Sequence, residues 1–132
     1  MRRLSLVLLV WLGCRPPQPA SLATGLVGVW HSPGTSDCRN AAMEFRVDGT
    51  MVVNSGKQAV TGTYAVDSGP SRLIVRHTDL RTNGEPNCQG IPAEYVLSHY
   101  LDTAYIDLHG DTLRIYTAPE GLDPFLTAVR VR

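Results

Sequence analysis

The chain has 132 residues, of which 43% are hydrophobic and 18% are charged, and its twelve basic and twelve acidic side chains give a formal net charge of zero. This length is enough for one domain with a single hydrophobic core. The charged residues are scattered singly, without the basic stripe that nucleic-acid binding requires, so we expect no nucleic-acid partner.

An apolar run from Leu4 to Leu12 opens the chain, directly after Arg2 and Arg3. The run is too short to cross a bilayer as a helix, which takes about 18 residues or more. It matches the apolar region of an export signal, which typically has about 7–15 residues. The sequence therefore predicts an exported protein with a signal peptide at residues 1–13.

The junction after this run contains Gly13 and Cys14. It resembles the lipobox of bacterial lipoproteins, in which the signal is cut immediately before a lipidated cysteine. The resemblance implies that Cys14 anchors the protein in the bacterial cell envelope, facing the periplasm. Arg15 stands where inner-membrane retention signals of that family carry Asp, which implies the outer membrane. Two alternatives stay open: cleavage after Ala23, which gives a soluble periplasmic or secreted protein, and an uncleaved signal that acts as an anchor.

Residues 15–24 contain three prolines and no apolar periodicity, which is typical of an extended tether. Together with the predicted lipidated cysteine they form an anchor and tether over residues 14–24. From Gly25 onward the pattern changes to short apolar and polar alternations that are broken by turn residues. Residues 25–132 are therefore expected to form one all-β domain.

The clearest alternation in this domain places Met43, Phe45 and Val47 on one face of a strand, and Asp48-Gly49 supplies the positive-φ pair of a tight hairpin. Further strands are predicted from the same kind of alternation at Gly25–His31, residues 60–66, residues 72–77, Ala93–His99, a hairpin at residues 104–116, and Leu126–Val131. This meander spacing predicts a small antiparallel barrel of about eight strands, or a sandwich.

Alternation also predicts which side chains face inward. The last strand should turn Val129 and Val131 inward, and the hairpin at residues 104–116 should leave Asp107, Arg114 and Tyr116 outside. The large side chains that we expect inside are Trp30, Met43, Phe45, Tyr64, Tyr95 and Leu97. Such side chains should fill much of a barrel this small.

The stretch "GLVGVW" carries Gly28 and Trp30 in the first predicted strand, and Arg130 lies in the last one. With the DG turn and the "GTY" strand, this pattern resembles the lipocalins and related lipocalin-like small bacterial barrels over about residues 25–132. The resemblance implies that Trp30 closes one barrel end and that Arg130 lies against it in a cation–π contact. Arg132 is the substitute candidate. In another small β-fold, Trp30 would simply be the largest core residue.

Cys38 and Cys88 both lie in polar, loop-like stretches. In an exported protein two such cysteines most often form a disulfide. The alternatives are two buried free cysteines, or a metal or redox pair, for which the sequence lacks the C-x-x-C spacing.

An enzyme would need a recognisable catalytic motif, and the sequence has no nucleophile elbow, phosphate-binding glycine loop or H-E-x-x-H pattern. The best acid–base or metal candidates form a loose cluster along the chain: His99, Asp102, Asp107, His109 and Asp111. Their ordinary interpretation is as solvated strand and turn residues. We therefore expect no enzyme activity, no cofactor and no metal.

Two classes of function follow. The first is a non-enzymatic binding module for a protein partner, in envelope assembly or as an inhibitor, which the large inward side chains favour. The alternative, implied by the lipocalin resemblance, is a carrier or sensor of a small apolar ligand, with Phe45, Tyr64 and Tyr95 as candidate contacts. An enclosed apolar cavity would favour the carrier.

Overall fold

The computed structural model describes residues 25–33, 38–39 and 41–132. The predicted signal peptide, the tether and Cys14 lie outside these residues. No helix in the described part of the chain is long and apolar enough to cross a membrane.

Eight antiparallel strands form a closed barrel in which each strand pairs with the next and β1 pairs with β8. This confirms the predicted all-β meander barrel. One short helix, α1 (Ala93–Ser98), lies between β5 and β6. The strands are β1 (Gly28–His31), β2 (Ala42–Phe45), β3 (Thr50–Ser55), β4 (Gln58–Ser68), β5 (Leu73–Thr82), β6 (Thr103–His109), β7 (Thr112–Tyr116) and β8 (Leu126–Arg130).

The hairpin between β2 and β3 forms where the turn chemistry predicts it. Of the predicted positive-φ pair only Gly49 has a positive φ, at 86°, a conformation that costs glycine little. Asp48 instead accepts a hydrogen bond from the backbone N–H of Thr50 at 2.9 Å. Val47 belongs to this turn and is 90% exposed, so its predicted place on the inner face is wrong. The reason is that β2 ends at Phe45, before the alternation reaches Val47.

The up-and-down order gives the barrel two distinct ends. We call one the closed end; it carries residues 25–27, the β2–β3, β4–β5 and β6–β7 turns, and the C-terminus. We call the other the open end; it carries the β1–β2, β3–β4, β5–β6 and β7–β8 connections. Helix α1 therefore belongs to the open end.

Trp30 fills the closed end and is fully buried. Its indole Nε1 donates a hydrogen bond to the carbonyl of Leu26 at 2.8 Å, and the guanidinium carbon of Arg130 lies 4.2 Å from the ring centroid. Arg130 also donates to the carbonyls of Val27 at 2.7 Å and Gly25 at 2.6 Å. The predicted contact between Trp30 and Arg130 is present, and Arg132 pairs with Asp111 instead.

The inner face of β8 differs from the prediction. Ala128 is fully buried, whereas Val129 is 44% exposed and Val131 is 52% exposed. Trp30 and Arg130 are direct partners in the β1–β8 ladder, which puts Arg130 on the same side of the sheet as the indole. An arginine can take this inward position because its charge meets two carbonyl groups and an aromatic face at the barrel end.

Residues Ala93–His99, predicted as a strand, instead contain α1, in which the backbone N–H of Val96 donates to the carbonyl of Pro92 at 3.1 Å. The segment is too short for periodicity to decide, because Ala93, Val96 and Leu97 also have the spacing of one helix face. Tyr95, expected inside the barrel, is 56% exposed.

Tyr116 lies on the outer face of β7, as predicted, but it is buried. The guanidinium carbon of Arg72 lies 3.3 Å from the centroid of its ring and covers it. The core inside the barrel consists of Leu26, Trp30, Phe45, Met51, Val75, Ala104, Ile106, Leu113, Ile115 and Ala128.

Candidate functional site

A cavity of about 350 Å³ lies inside the barrel toward the open end. This volume is at the lower end of the range of small-molecule sites, roughly 300–1,000 Å³. The prediction that large side chains fill the interior is therefore wrong at this end. Two of those side chains, Tyr95 and Leu97, belong to α1 rather than to a strand, and the small Ala104 occupies an inward position on β6.

The wall of the cavity is almost entirely apolar. Its inner part includes side chains of the barrel core: Trp30, Phe45, Ala104, Ile106 and Ile115. Its outer part comes from α1 and the connections at the open end: Ile91, Tyr95, Val96, Leu101 and Phe125. Among the described residues that line it there is no Asp, Glu, Lys or Arg.

The lining residues with polar side chains, including the predicted acid–base candidate His99, are Ser32, Asn54, Ser55, His77, Tyr95, His99 and Tyr100. Two of them, His77 and Tyr100, lie side by side. Their ring centroids are 5.5 Å apart, with the ring planes nearly perpendicular. Nδ1 of His77 lies 2.9 Å from the carbonyl oxygen of Leu101. Burial lowers the pKa of His77 below its ordinary value of 6.5, and burial raises the pKa of Tyr100 to about 12. Both groups are therefore uncharged at neutral pH.

The disulfide between Cys38 and Cys88 fixes part of the cavity mouth, and it confirms the predicted pairing. It joins the β1–β2 connection to the β5–β6 connection, which carries α1. Two hydrogen bonds join the β5–β6 connection to the β3–β4 hairpin as well: the N–H of Cys88 donates to Ser55 Oγ at 3.3 Å, and the buried Gln58 donates to the carbonyl of Glu85 at 2.9 Å.

Arg72, in the β4–β5 turn, holds the β7–β8 connection from outside the barrel. Besides covering Tyr116, it pairs with Asp107 at 3.3 Å and donates to three carbonyls of the β7–β8 connection: Ala118 at 3.3 Å, Pro119 at 3.1 Å and Gly121 at 2.7 Å. The same connection carries Phe125, which lines the cavity. Sequence reasoning gave Arg72 no role beyond an outward strand position.

The three predicted ligand contacts separate in the structure. Phe45 and Tyr95 line the cavity, the first in the barrel and the second on α1. Tyr64 is not among the lining residues. It packs edge-on against Phe45, with ring centroids 5.0 Å apart, and donates to the carbonyl of Arg46 at 2.7 Å.

Sequence reasoning missed His77 and Tyr100. For His77 a signal was present, because it has the same strand parity as Val75, which is fully buried. For Tyr100 the sequence gives no signal, because its alternation predicts a strand at residues 93–99. Tyr100 reaches the cavity from the segment directly after α1, whereas His77 reaches it from β5.

The loose cluster of acid–base candidates is dispersed. Asp107 pairs with Arg72, Asp111 pairs with Arg130 and Arg132, and His99 stacks on Tyr95 with ring centroids 4.0 Å apart. In the described ranges, no three His, Cys, Asp or Glu side chains come together in a way that could hold a metal ion.

Comparison with known proteins gives no match: no family model, curated protein or solved structure is similar enough to the chain to indicate its family. The eight-stranded antiparallel barrel is the architecture that Gly28, Trp30 and Arg130 led us to expect from the lipocalin resemblance. The cavity is the feature from which a function can be argued.

Proposed function

We propose that the barrel binds a small apolar molecule in the cavity at its open end, without catalysing a reaction. The observation that carries this proposal is an apolar cavity of about 350 Å³ that opens at the barrel end where α1 lies. A site of this kind transfers apolar ligand surface out of water, which contributes about 25 cal/mol per Å². Part of this gain is lost to the cost of association.

The apolar character of the wall favours a ligand over a structural void. A core that had no ligand to accommodate would gain contacts by filling this space, because protein interiors pack as densely as organic crystals. Here Ala104 leaves the space open, while Arg72 holds the β7–β8 connection and the Cys38–Cys88 bridge holds the β5–β6 connection, both of which contribute lining residues.

Titration with N-phenylnaphthylamine, an uncharged fluorescent probe, tests the proposal. We expect saturable binding of one probe per chain with a rise in fluorescence. Ala104→Leu extends a side chain into the cavity and should weaken the probe affinity at least about tenfold while leaving the melting temperature unchanged or higher. Ala65→Leu makes the same change on the exposed face of β4 and should leave the affinity unchanged.

Two results would contradict the proposal. One is the absence of saturable probe binding to the folded chain. The other is an affinity that Ala104→Leu and Ala65→Leu leave equally intact, because the probe would then bind outside the cavity.

A protein partner is the second candidate function. In its favour are three exposed apolar side chains on α1 and the β7–β8 connection: Tyr95 at 56%, Leu122 at 92% and Phe125 at 68%. Tyr95 and Phe125 also line the cavity, so access to the cavity accounts for two of the three. We therefore rank the small-molecule function first.

We further propose that the protein is a lipoprotein of the bacterial cell envelope, anchored through Cys14 in the outer membrane. The support is the apolar run that ends at Gly13 and Cys14. Mass spectrometry of the membrane-extracted protein should find lipid on an N-terminal Cys14, and Cys14→Ala should release the protein from the membrane. A mature N-terminus at Thr24 would contradict the anchor and indicate a soluble exported protein.

A further inference from the structure

Two neighbouring polar residues in the cavity wall, His77 and Tyr100, offer complementary hydrogen-bonding groups. A backbone carbonyl can only accept a hydrogen bond, so the 2.9 Å contact with Leu101 requires a proton on Nδ1 of His77. In the neutral imidazole, Nε2 then carries a lone pair and acts as an acceptor. His77 therefore offers the cavity an acceptor rather than a donor.

The Tyr100 hydroxyl supplies the complementary donor. Neither this hydroxyl nor Nε2 of His77 has a hydrogen-bond partner among the described residues. Both residues line the cavity, with their ring centroids 5.5 Å apart.

The lack of charged side chains among the described lining residues limits the charge that a ligand can carry. The described lining residues include no Lys or Arg that could pair with a carboxylate or phosphate. Moving an ionised group from water into an apolar site costs several kcal/mol or more unless it is paired. The cavity therefore disfavours fatty acids and other anionic amphiphiles.

We propose that His77 and Tyr100 bind the hydroxyl group of an uncharged ligand whose remaining surface is apolar, that is, a small apolar alcohol or phenol. The ligand hydroxyl donates to Nε2 of His77 and accepts from the hydroxyl of Tyr100. This inference rests on the proposed function, since it assigns the polar end of the ligand in the same cavity.

Three uncharged probes of similar size measure the contribution of each of the two hydrogen bonds to the affinity. Naphthol can donate and accept, its methyl ether can only accept, and naphthalene can do neither. Calorimetric titration of the purified chain at neutral pH should show naphthol binding about five- to tenfold more tightly than the ether, which is the effect of one hydrogen bond. The ether should in turn bind more tightly than naphthalene, and naphthoate should bind most weakly.

Two variants test which residue causes each difference in probe affinity. His77→Asn keeps a donor for the carbonyl of Leu101 but has no acceptor at the position of Nε2, so the preference for naphthol over its ether should disappear. Tyr100→Phe removes only a hydroxyl, so the preference for the ether over naphthalene should disappear. Tyr64→Phe makes the same change outside the cavity lining and should preserve both preferences.

The outcomes distinguish this inference from the proposed function. If naphthol, its ether and naphthalene bind the unmodified chain equally well, the hydroxyl subsite is wrong while the apolar site stands. Tighter binding of naphthoate than of naphthol would also overturn the subsite. If none of the probes binds, the proposed function fails and the subsite fails with it. The comparison among probes on the unmodified chain decides the question even if a variant does not fold.

Discussion

Arg130 combines two roles at the closed end, because its guanidinium both covers the indole of Trp30 and donates to two backbone carbonyls. The adjacent Gly28 makes this approach possible. Its φ is 141°, and a Cβ at this position would lie 2.5 Å from Nη1 of Arg130. A side chain at residue 28 would therefore displace the arginine that holds residues 25–27 against the barrel.

Arg130→Met tests this role, because methionine keeps most of the apolar stem and removes the charged group. Loss of the hydrogen bonds to Val27 and Gly25 and of the cation–π contact should lower the free energy of unfolding by roughly 2–4 kcal/mol. Urea denaturation followed by circular dichroism measures the change. Arg132→Met is the matched control: Arg132 is highly exposed and pairs only with Asp111, so we expect little change. Equal losses for both variants would contradict the role of Arg130.

Among the elements, the hairpin of β2 and β3 was predictable from the sequence. Its alternation and its turn residues are local signals, and the same residues determine the structure. The alternation across residues 103–116 was predictable for the same reason, since Ile106 pairs with Ile115 as the pattern requires.

Other elements depend on distant contacts that a local pattern does not contain. Arg130 faces inward on β8 because it meets Val27 and Gly25, which are 103 and 105 residues away in the chain. Alternation assigned that face to Val129 and Val131 because it weighs only hydrophobicity. The helix α1 has only six residues, so its two possible periodicities could not be separated before the fold was known.

The candidate site was less predictable than the fold, and the error in α1 explains why. A strand at residues 93–99 would direct Tyr95 and Leu97 into the barrel and fill it, which favours a protein partner. As a helix, the same segment leaves the interior open and brings Tyr100 to the cavity wall. One misassigned element thus changed both the residues of the site and the class of ligand that we propose.

In the molecule as a whole, the predicted attachment to the tether and the cavity mouth lie at opposite ends of the barrel. The closed end holds Gly25, the first described residue after the predicted tether, together with the C-terminus. The open end holds α1, the disulfide and the cavity mouth. Under the proposed anchoring through Cys14, the tether therefore joins the barrel at the end opposite the mouth, which leaves the mouth free to exchange ligand.

The Cys38–Cys88 bridge should affect both the stability of the barrel and the function of its open end. It closes a loop with a sequence separation of 50 residues, for which the chain-entropy estimate of the stabilisation is about 4 kcal/mol. Reduction, or the double variant Cys38→Ala with Cys88→Ala, should therefore lower the melting temperature. Below that temperature the far-ultraviolet circular dichroism should keep its β character, because the bridge joins connections rather than strands. The affinity for N-phenylnaphthylamine should fall at the same time, since the β5–β6 connection carries α1 and part of the cavity wall.

Peptide mapping after thiol labelling provides the control: Cys38 and Cys88 should be unreactive until reduction. Labelling of both in the native oxidised protein, or a melting temperature that reduction leaves unchanged, would show that the bridge does not stabilise the fold.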